Sequence, residues 1–373
     1  MSPLRVAIVI GTRPDAIKMA PVVQALRRRP DRFDTRVVAT AQHREMLDQV
    51  LGVFGIEPDV DLDLMQAGQG LAELTARLLE NLERLWRRLI PDVVLVQGDT
   101  TSSFAAALAA YYQKVPVGHV EAGLRSRNKY APFPEEINRR LIGGIAELHF
   151  APTDSARQHL LGEGVEDSRI LVTGNTSIDA LLHTVDWIRA TGFRPESLNP
   201  AVFEGNKLVL VTAHRRESFG EGLQRICQAL RMIGQSRPDA AVVYPVHPNP
   251  NVDQPVRASL ADVRNIHLTA PLDYRTFIYT MARADVVLTD SGGVQEEAPS
   301  LHRPVLVLRE VTERTEAIDA GCAELVGTDA ARIVDRTLQL LDQPPTMPQT
   351  ENPFGDGQAG ERIARALLAW SRA

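Results

Sequence analysis

The sequence predicts an α/β protein built from two doubly wound, Rossmann-like domains. Apolar runs rich in Val, Ile and Leu alternate with helical stretches along almost the whole chain. Such runs with helices between them indicate parallel strands that are buried on both faces of a sheet. A chain of 373 residues is also too long for one ordinary core. We therefore expect two successive domains of this kind, joined in the Gly-, Pro- and Asn-rich stretch 189–207.

The predicted strands follow one another in the same manner in both halves. Those of the first half are "RVAIVI", "TRVVATA", "DVVLVQG", "VPVGHVE", "LHFAPT" and "RILVTG". Those of the second half are "KLVLVTA", "AVVYPVH", "NIHLTA", "DVVLTD", "PVLVLRE" and "AELVGT". We predict an N-terminal domain over 1–185 and a second domain over 186–355. The amphipathic stretch in 356–373 is predicted to be a helix that folds back onto one of them, in our interpretation the N-terminal domain.

Composition narrows the function classes. The net charge of −6 argues against a general nucleic-acid binder, because phosphate contacts need a basic field. Cys227 and Cys322 make neither a disulfide framework nor a metal motif, which suits a reducing cytoplasm. The first apolar run is far too short to span a membrane, and we interpret it as the first strand. The sequence thus predicts a cytoplasmic enzyme or binding protein with no membrane partner.

Polar and glycine residues follow nearly every predicted strand. Examples are "GTRPDAIK", "GDTTSS", "EAGLRS", "AHRRESFG" and "SGGVQEE". Ligands of open α/β sheets bind at the carboxyl ends of the strands. The sequence therefore predicts a site in a cleft between the two domains.

Two basic residues follow the first strand. Arg13 begins a helix, where a guanidinium can bind a phosphate or a carboxylate. Lys18 lies one turn further on, and only four of the 41 basic residues are lysines. A site that needs a compact ammonium would retain Lys. The alternative is a surface ion pair between Lys18 and Asp15.

Three strand or helix ends of the first half carry carboxylates. Asp99 is either a catalytic group or the N-cap of the helix that follows it. Glu121 ends an apolar strand, where a buried carboxylate is costly unless it has a function. Glu135 and Glu136 open a helix, which the helix dipole alone favours for at least one of them.

In the second half, "DSGG" separates a strand from a helix. The amides of Gly292 and Gly293, with Ser291, are expected to form an anion nest where the strand passes into the helix. The loop is not a Walker-A loop, because no Lys follows the last glycine. A carboxylate at 296 or 297 can accept hydrogen bonds from ribose hydroxyls. This combination suggests a nucleoside diphosphate, with Arg314 and Phe277 contacting its phosphates and base. His214 lies between the end of a strand and two arginines, and we expect it to be a further anion ligand.

Other cofactors have no convincing site in the sequence. "GDGQAG" (355–360) matches the dinucleotide pattern, but no strand precedes it and too little chain follows it. The His, Cys and Asp residues lack zinc-site spacing. We expect no dinucleotide and no metal.

Nine of these segments together resemble the non-hydrolysing UDP-N-acetylglucosamine 2-epimerases. They are "GTRPDAIKMAP", "TAQHREMLDQVL", "QGDTT", "GHVEAGLRS", "PFPEEINRR", "GNTSIDALL", "TAHRRESFG", "YPVHPNPNV" and "LTDSGGVQEEAPSL". The resemblance implies the two-domain GT-B fold and a cytoplasmic homodimer. It also implies interconversion of UDP-N-acetylglucosamine (UDP-GlcNAc) and UDP-N-acetylmannosamine (UDP-ManNAc) without a cofactor, for bacterial surface polysaccharide.

The resemblance also implies roles for individual residues. Catalytic roles fall on Asp99, Glu121, Glu135, Lys18 and His214. The residues that it implies to contact the substrate are Arg13, Lys18, Asp99, Glu121, His214, Leu272, Phe277, Ser291, Gly292, Gly293, Glu297 and Arg314. Gln42 and His43 would belong to an allosteric site for a second UDP-GlcNAc. Gly68 stands where activated relatives have a basic residue, so we expect no strong activation. Val311 and Thr315 also depart from the family pattern near Arg314.

The implied chemistry explains these residue types. C2 of the sugar is not next to a carbonyl, so the route is anti elimination of UDP to a 2-acetamidoglucal and re-addition of UDP. This needs a nest for the departing diphosphate and carboxylates that move the C2 proton. Three alternatives stay open: a GT-B glycosyltransferase, a hydrolysing epimerase, and a catalytically silent protein that binds nucleotide sugars.

Overall fold

The computed structural model describes residues 2–40, 44–64, 68–205, 207–344 and 352–372, without the side chains of 44–46 and 48. The chain divides into two compact units. Unit 1 contains Met1–Ala180 and Phe354–Ala373, and unit 2 contains Leu181–Pro353. The first boundary therefore falls inside a helix and not in the predicted linker 189–207.

Unit 1 is built on a parallel sheet of seven strands among the described residues. They are β1 (Leu4–Ile10), β2 (Phe33–Ala39), β3 (Val60–Asp61), β4 (Val93–Gln97), β5 (Val117–Val120), β6 (Leu148–Ala151) and β7 (Ile170–Val172). The spatial order is β3-β2-β1-β4-β5-β6-β7. The six strands expected from their apolar runs are confirmed. The sequence missed β3, because two residues are too few for a periodic signal.

The helices that follow these strands cover the sheet. They are α1 (Arg13–Arg27), α2 (Arg44–Val53), α3 (Leu71–Leu89), α4 (Thr101–Tyr112), α5 (Glu135–Ile145), α6 (Asp154–Gly162) and α7 (Thr176–Thr191). Leu74, Leu78 and Leu82 of α3 recur every four residues and are buried, which places one apolar face against the core. The alanines of α4 are buried beside them, and their small side chains allow α3 and α4 to approach closely.

Unit 2 repeats the architecture with a parallel sheet of six strands in its described part. They are β8 (Lys207–Thr212), β9 (Ala240–Pro245), β10 (Ile266–Thr269), β11 (Val286–Thr289), β12 (Val305–Val307) and β13 (Ala323–Leu325). The order is β10-β9-β8-β11-β12-β13, and all six predicted runs are strands. The helices are α8 (Glu221–Ser236), α9 (Pro250–Leu260), α10 (Tyr274–Arg283), α11 (Gly292–Glu297), α12 (Thr315–Asp319) and α13 (Ala330–Asp342).

The last helix, α14 (Ala359–Trp370), packs against α1 in unit 1. Asp179 accepts hydrogen bonds from the first amides of α14, Ala359 N at 3.2 Å and Gly360 N at 2.8 Å. A Cβ atom on Gly360 would lie 2.8 Å from the carbonyl oxygen of Pro21, so only glycine permits this approach of α14 to α1. The C-terminal segment is thereby an integral part of unit 1.

The strand order places the functional loops. In unit 1 the order reverses between β1 and β4, and in unit 2 between β8 and β11. Loops that leave such neighbouring strands diverge and open a crevice at the carboxyl edge of the sheet. The segments after β1, β4, β8 and β11 are those that carry Arg13, Asp99, His214 and Ser291. Among the described residues, no helix is long and apolar enough to cross a membrane.

Candidate active site

Glu121 is the most constrained carboxylate of unit 1. It directly follows β5, is 8% exposed, and has a backbone φ of 62°. A residue other than glycine in this left-handed region is strained, and such strain concentrates at functional sites. The buried strands on either side hold the residue in this conformation, which is the position that the sequence argument singled out.

Three hydrogen-bond donors surround the Glu121 carboxylate. The ammonium of Lys18 and the amide Nδ2 of Asn175 (3.1 Å) donate to Oε1, and the amide Nε2 of Gln97 donates to Oε2. Gln97 and Asn175 are buried, and Lys18 is largely so. Lys18 therefore pairs with Glu121, and the alternative of a surface pair with Asp15 is wrong. Hydrogen bonds that a carboxylate accepts favour its ionised form over its protonated form.

Asp99 lies in the loop after β4 and pairs with Arg139 of α5. The Arg139 Nε and Nη2 atoms lie 2.7 and 2.6 Å from Asp99 Oδ2. Asn138 Nδ2 donates to the carbonyl oxygen of Asp99 at 2.9 Å. The alternative of Asp99 as an N-cap is wrong, because Thr100 is the N-cap of α4 and accepts from Ser103 N at 3.2 Å. The Asp99 side chain is thereby left to act outside the helix.

Glu135 and Glu136 are neighbours with different surroundings. Glu136 is fully buried and accepts from Ser126 N at 2.9 Å and Arg127 N at 3.2 Å. Burial raises the pKa of Glu136, but these amides and the charge of Arg139 together lower it by more, so the net pKa lies below its ordinary value. Glu136 thus holds the loop that precedes α5. Glu135 Oε2 is buried and has no hydrogen-bond partner in the part of the chain that the structure describes, so Glu135 is the one suited to meet a ligand.

The loop after β1 is organised by a capping box. Thr12 is the N-cap of α1 and accepts from Asp15 N, while Asp15 Oδ2 accepts from Gly11 N at 3.1 Å and Thr12 N at 3.0 Å. This arrangement places Arg13 at the first position of α1. The box joins residues that are close in sequence, so the local pattern alone sets this turn.

In unit 2, Asp290 organises the equivalent loop. Its buried Oδ2 accepts from His214 N at 2.6 Å and from Arg215 N at 2.7 Å. The His214 ring stacks on that of His247, with centroids 5.3 Å apart. Burial lowers the pKa of His214, and the charge of Asp290 partly opposes this effect. Asp290 thus connects the loop after β8 directly to Ser291.

The predicted nest lies at the start of α11. Ser291 precedes it and donates its backbone N–H to Thr289 Oγ1 at 2.9 Å. Arg314 covers Gly292 so closely that a Cβ atom there would lie 2.8 Å from the guanidinium carbon. Glu296 accepts from Arg314 Nε at 2.9 Å and orients it. The backbone at Gly292 and the Arg314 guanidinium therefore lie side by side, and the anion nest stays a prediction.

Other predicted substrate contacts also fall in unit 2. Leu272 is buried just before α10, Phe277 is half-buried on α10, and Glu297 is 9% exposed at the end of α11. Because Glu296 is engaged by Arg314, Glu297 is the better candidate for a ribose contact. Gln42 and His43 lie outside the described residues.

Sequence reasoning missed the residues that hold these groups. Gln97, Asn175, Arg139 and Asp290 were not selected, although each lies at or just after a strand end or early in a helix. Gln97 carried the same signal as Glu121, a polar residue at the end of an apolar run. The others had no local signal, because their partners are distant in sequence.

Comparisons with known proteins show the family to which the chain is similar. A family model described as UDP-N-acetylglucosamine 2-epimerase matches residues 24–368. The UDP-N-acetylglucosamine 2-epimerase of Salmonella typhimurium is 52% identical, covering 98% of this chain and 99% of the relative. A solved structure of UDP-GlcNAc 2-epimerase from Neisseria meningitidis, bound to UDP-GlcNAc, has a TM-score of 0.92 at 45% identity and covers 98% of this chain and 100% of its own. The enzyme from Methanocaldococcus jannaschii, in complex with UDP-GlcNAc and UDP, has a TM-score of 0.82 at 32% identity, with 98% and 100% covered.

Proposed function

Because the chain belongs to the UDP-N-acetylglucosamine 2-epimerase family, we propose that it interconverts UDP-GlcNAc and UDP-ManNAc by inverting C2 of the sugar. The observation that carries the proposal is Glu121, a buried carboxylate in a strained conformation that accepts hydrogen bonds from Lys18, Gln97 and Asn175. Such a group is prepared to take up a proton. The nest at Gly292, with Arg314 beside it, supplies the complementary anion site.

The reaction that fits these groups is an elimination followed by an addition. A carboxylate removes the proton from C2, the C–H electrons form the C1–C2 double bond, and the C1–O bond breaks. UDP departs with the electron pair of the broken C1–O bond and leaves 2-acetamidoglucal. A UDP oxygen then adds back to C1, while C2 takes a proton on its other face. Asp99, Glu121 and Glu135 are our candidates for these proton transfers.

Unit 2 is assigned to the diphosphate. The amides of Gly292 and Gly293, the Arg314 guanidinium and His214 are suited to the negative charge that grows as the C1–O bond breaks. Phe277 and Leu272 are assigned to the base and Glu297 to the ribose. In unit 1, Arg13 and Lys18 are also assigned to the substrate.

One experiment tests this function against its alternatives. Pure protein is incubated with UDP-GlcNAc alone in heavy water, and the anomeric protons are followed by NMR. We expect UDP-ManNAc, with deuterium at C2 of both epimers. Free ManNAc and UDP would indicate a hydrolysing epimerase, and binding without turnover a silent protein. No turnover until an acceptor is added would indicate a glycosyltransferase.

An isotope experiment tests the bond that breaks. Oxygen-18 placed in the C1–O–P bridge should scramble into the non-bridging oxygens of the β-phosphate, because free UDP can rotate before it adds back. Retention of the label in the bridge over many turnovers would exclude elimination. Direct deprotonation and oxidation at C2 or C3 both leave the bridge intact.

We further propose a cytoplasmic homodimer. Ile137 and Leu141 lie four residues apart on α5 and are 36% and 45% exposed, and Phe133, just before this helix, is 62% exposed. Tyr111 and Tyr112 of the adjacent α4 are 61% exposed each. Apolar residues grouped in this way favour a protein contact. Light scattering should give twice the chain mass of 41.1 kDa, and Leu141→Glu should shift it toward the monomer.

A further inference from the structure

We propose that Gln97 and Asn175 are positioning residues that keep Glu121 ionised and oriented as the proton acceptor. This inference rests on the proposed function and deepens it, since neither amide was assigned a role by the sequence argument. The two side chains approach the carboxylate on different oxygens, Gln97 on Oε2 and Asn175 on Oε1. Together with Lys18 they leave Glu121 surrounded by donors.

The Asn175 amide cannot simply turn its oxygen toward Glu121. Its Oδ1 accepts from Ser177 N at 3.0 Å, which directs Nδ2 to the carboxylate. Its own backbone N–H donates to the carbonyl oxygen of Phe354 at 2.6 Å. The C-terminal segment that returns to unit 1 therefore holds Asn175 in place, and Asn175 holds Glu121.

Gln97 is fixed by the sheet. It is the last residue of β4, is 3% exposed, and lies in register with Val120, the residue before Glu121. The two side chains thus leave neighbouring strands at the same edge. Gly98 follows, and a Cβ atom there would lie 3.3 Å from Glu121 Oε2, so the backbone also encloses the carboxylate.

The other charged groups near Glu121 do not replace these donors. His119, on β5, donates Nε2 to the carbonyl oxygen of Gly98 at 2.7 Å, and burial lowers its pKa to about 3. It is therefore neutral at physiological pH. Asp99, on the loop after β4, is paired with Arg139. Lys18 of α1 is a charged donor to Glu121, and the amides of Gln97 and Asn175 are neutral donors to the same carboxylate.

The test replaces each amide with the carboxylate of the same shape. Gln97→Glu and Asn175→Asp remove a donor and place a second negative charge beside Glu121. Both changes favour the protonated form of Glu121. We therefore expect the acid limb of the profile of kcat/KM against pH to move to higher pH, by about one pH unit or more in each variant. Turnover should recover toward wild type above the new limb, and UDP affinity should stay within about threefold.

Asn265→Asp is the matched control. Asn265 in unit 2 is also a structural amide, and its Nδ2 donates to the carbonyls of Gly234, Arg237 and Ala240. The Asn265→Asp variant should have a lower melting temperature, and the acid limb of its pH profile should coincide with that of wild type. Acid limbs of both site variants that superimpose on wild type overturn the inference, as does an activity loss that is equal at every pH. Wild-type protein that does not epimerise UDP-GlcNAc would instead overturn the proposed function.

If one variant does not fold, the other tests the proposal alone, because the two amides lie on separate elements. Gln97→Met then serves as a second variant at the first position. It removes the donor without adding charge, so its acid limb should move in the same direction but less than in Gln97→Glu. A shift in the opposite direction would contradict the proposed role.

Discussion

The two units present opposite charges at the ends of their strands. In unit 1, the carboxylates of Glu121 and Asp99 are held by donors, the second of them by Arg139. In unit 2, the Arg314 guanidinium and the backbone amides after β8 are held by the carboxylates of Glu296 and Asp290. The roles that we propose, proton transfer in unit 1 and anion binding in unit 2, therefore belong to one fold in which the charge that is held and the charge that holds it are exchanged.

The loops after the first strand of each unit sharpen this contrast. Asp15 holds its loop from four residues away, while Asp290 holds the other loop from 75 and 76 residues away. The first link is local and stabilises one turn. The second joins two strand ends, so it couples His214 to the nest.

The largest effect is expected for the central carboxylate of unit 1. Glu121→Gln should lower turnover roughly 10²-fold or more, because the variant cannot accept the C2 proton. UDP affinity, assigned to unit 2, should stay within about threefold. Steady-state kinetics and calorimetry with UDP measure both quantities. If the variant loses UDP affinity as strongly as turnover, the assignment of proton transfer to unit 1 and of UDP binding to unit 2 is wrong.

The next effect concerns stability and pH. Burial raises the pKa of Asp15 to about 6 from 3.8, so folded protein binds this proton more tightly than unfolded protein. Stability should then fall as the pH rises from about 4 to about 6 and stay lower above that. Asp15→Asn should remove this loss, which is at most roughly 2–3 kcal/mol.

Urea unfolding of the Asp15→Asn variant and wild type at pH 4.5 and pH 7.5 measures the difference. Asp179, whose pKa burial also raises to about 6, is the comparison residue, and Asp179→Asn should show a change of the same sign. Equal pH dependence in wild type and both variants would contradict the expectation.

A smaller effect is expected at the nest of unit 2. Gly292→Val should weaken UDP binding at least tenfold, about 1.4 kcal/mol, because its Cβ atom displaces Arg314. Gly293→Val is the matched change, since a Cβ atom there meets nothing nearer than Ser291 Oγ at 4.0 Å. Its effect on UDP affinity in calorimetry should be clearly smaller. Equal losses would show that Arg314 is not the reason.

The smallest effect separates capping from catalysis in unit 1. Thr100→Ala should lower the free energy of unfolding by about 1 kcal/mol, because the amide of Ser103 loses its acceptor. Asp99→Asn should leave stability near wild type and lower turnover. Thermal melts and kinetics of the two variants measure both effects, and wild-type turnover in Asp99→Asn would contradict its catalytic role.

The sequence alone determined the fold class and selected candidate residues for the site. Continuous apolar runs predicted twelve of the strands, because burial on both faces of a parallel sheet requires them. Turns that close within a few residues were also visible, as with the helix start at Arg13 and the glycine pair that begins α11. These features depend on neighbours in the chain, so a linear pattern contains them.

Only the tertiary structure decided which groups hold one another. The partners of Glu121 lie 103, 24 and 54 residues away at Lys18, Gln97 and Asn175. They meet because strand order brings their strand ends to one edge of the sheet, and no local pattern encodes that order. The same reason explains why Thr100 and not Asp99 caps α4: the competing partner of Asp99, Arg139, lies 40 residues further along the chain.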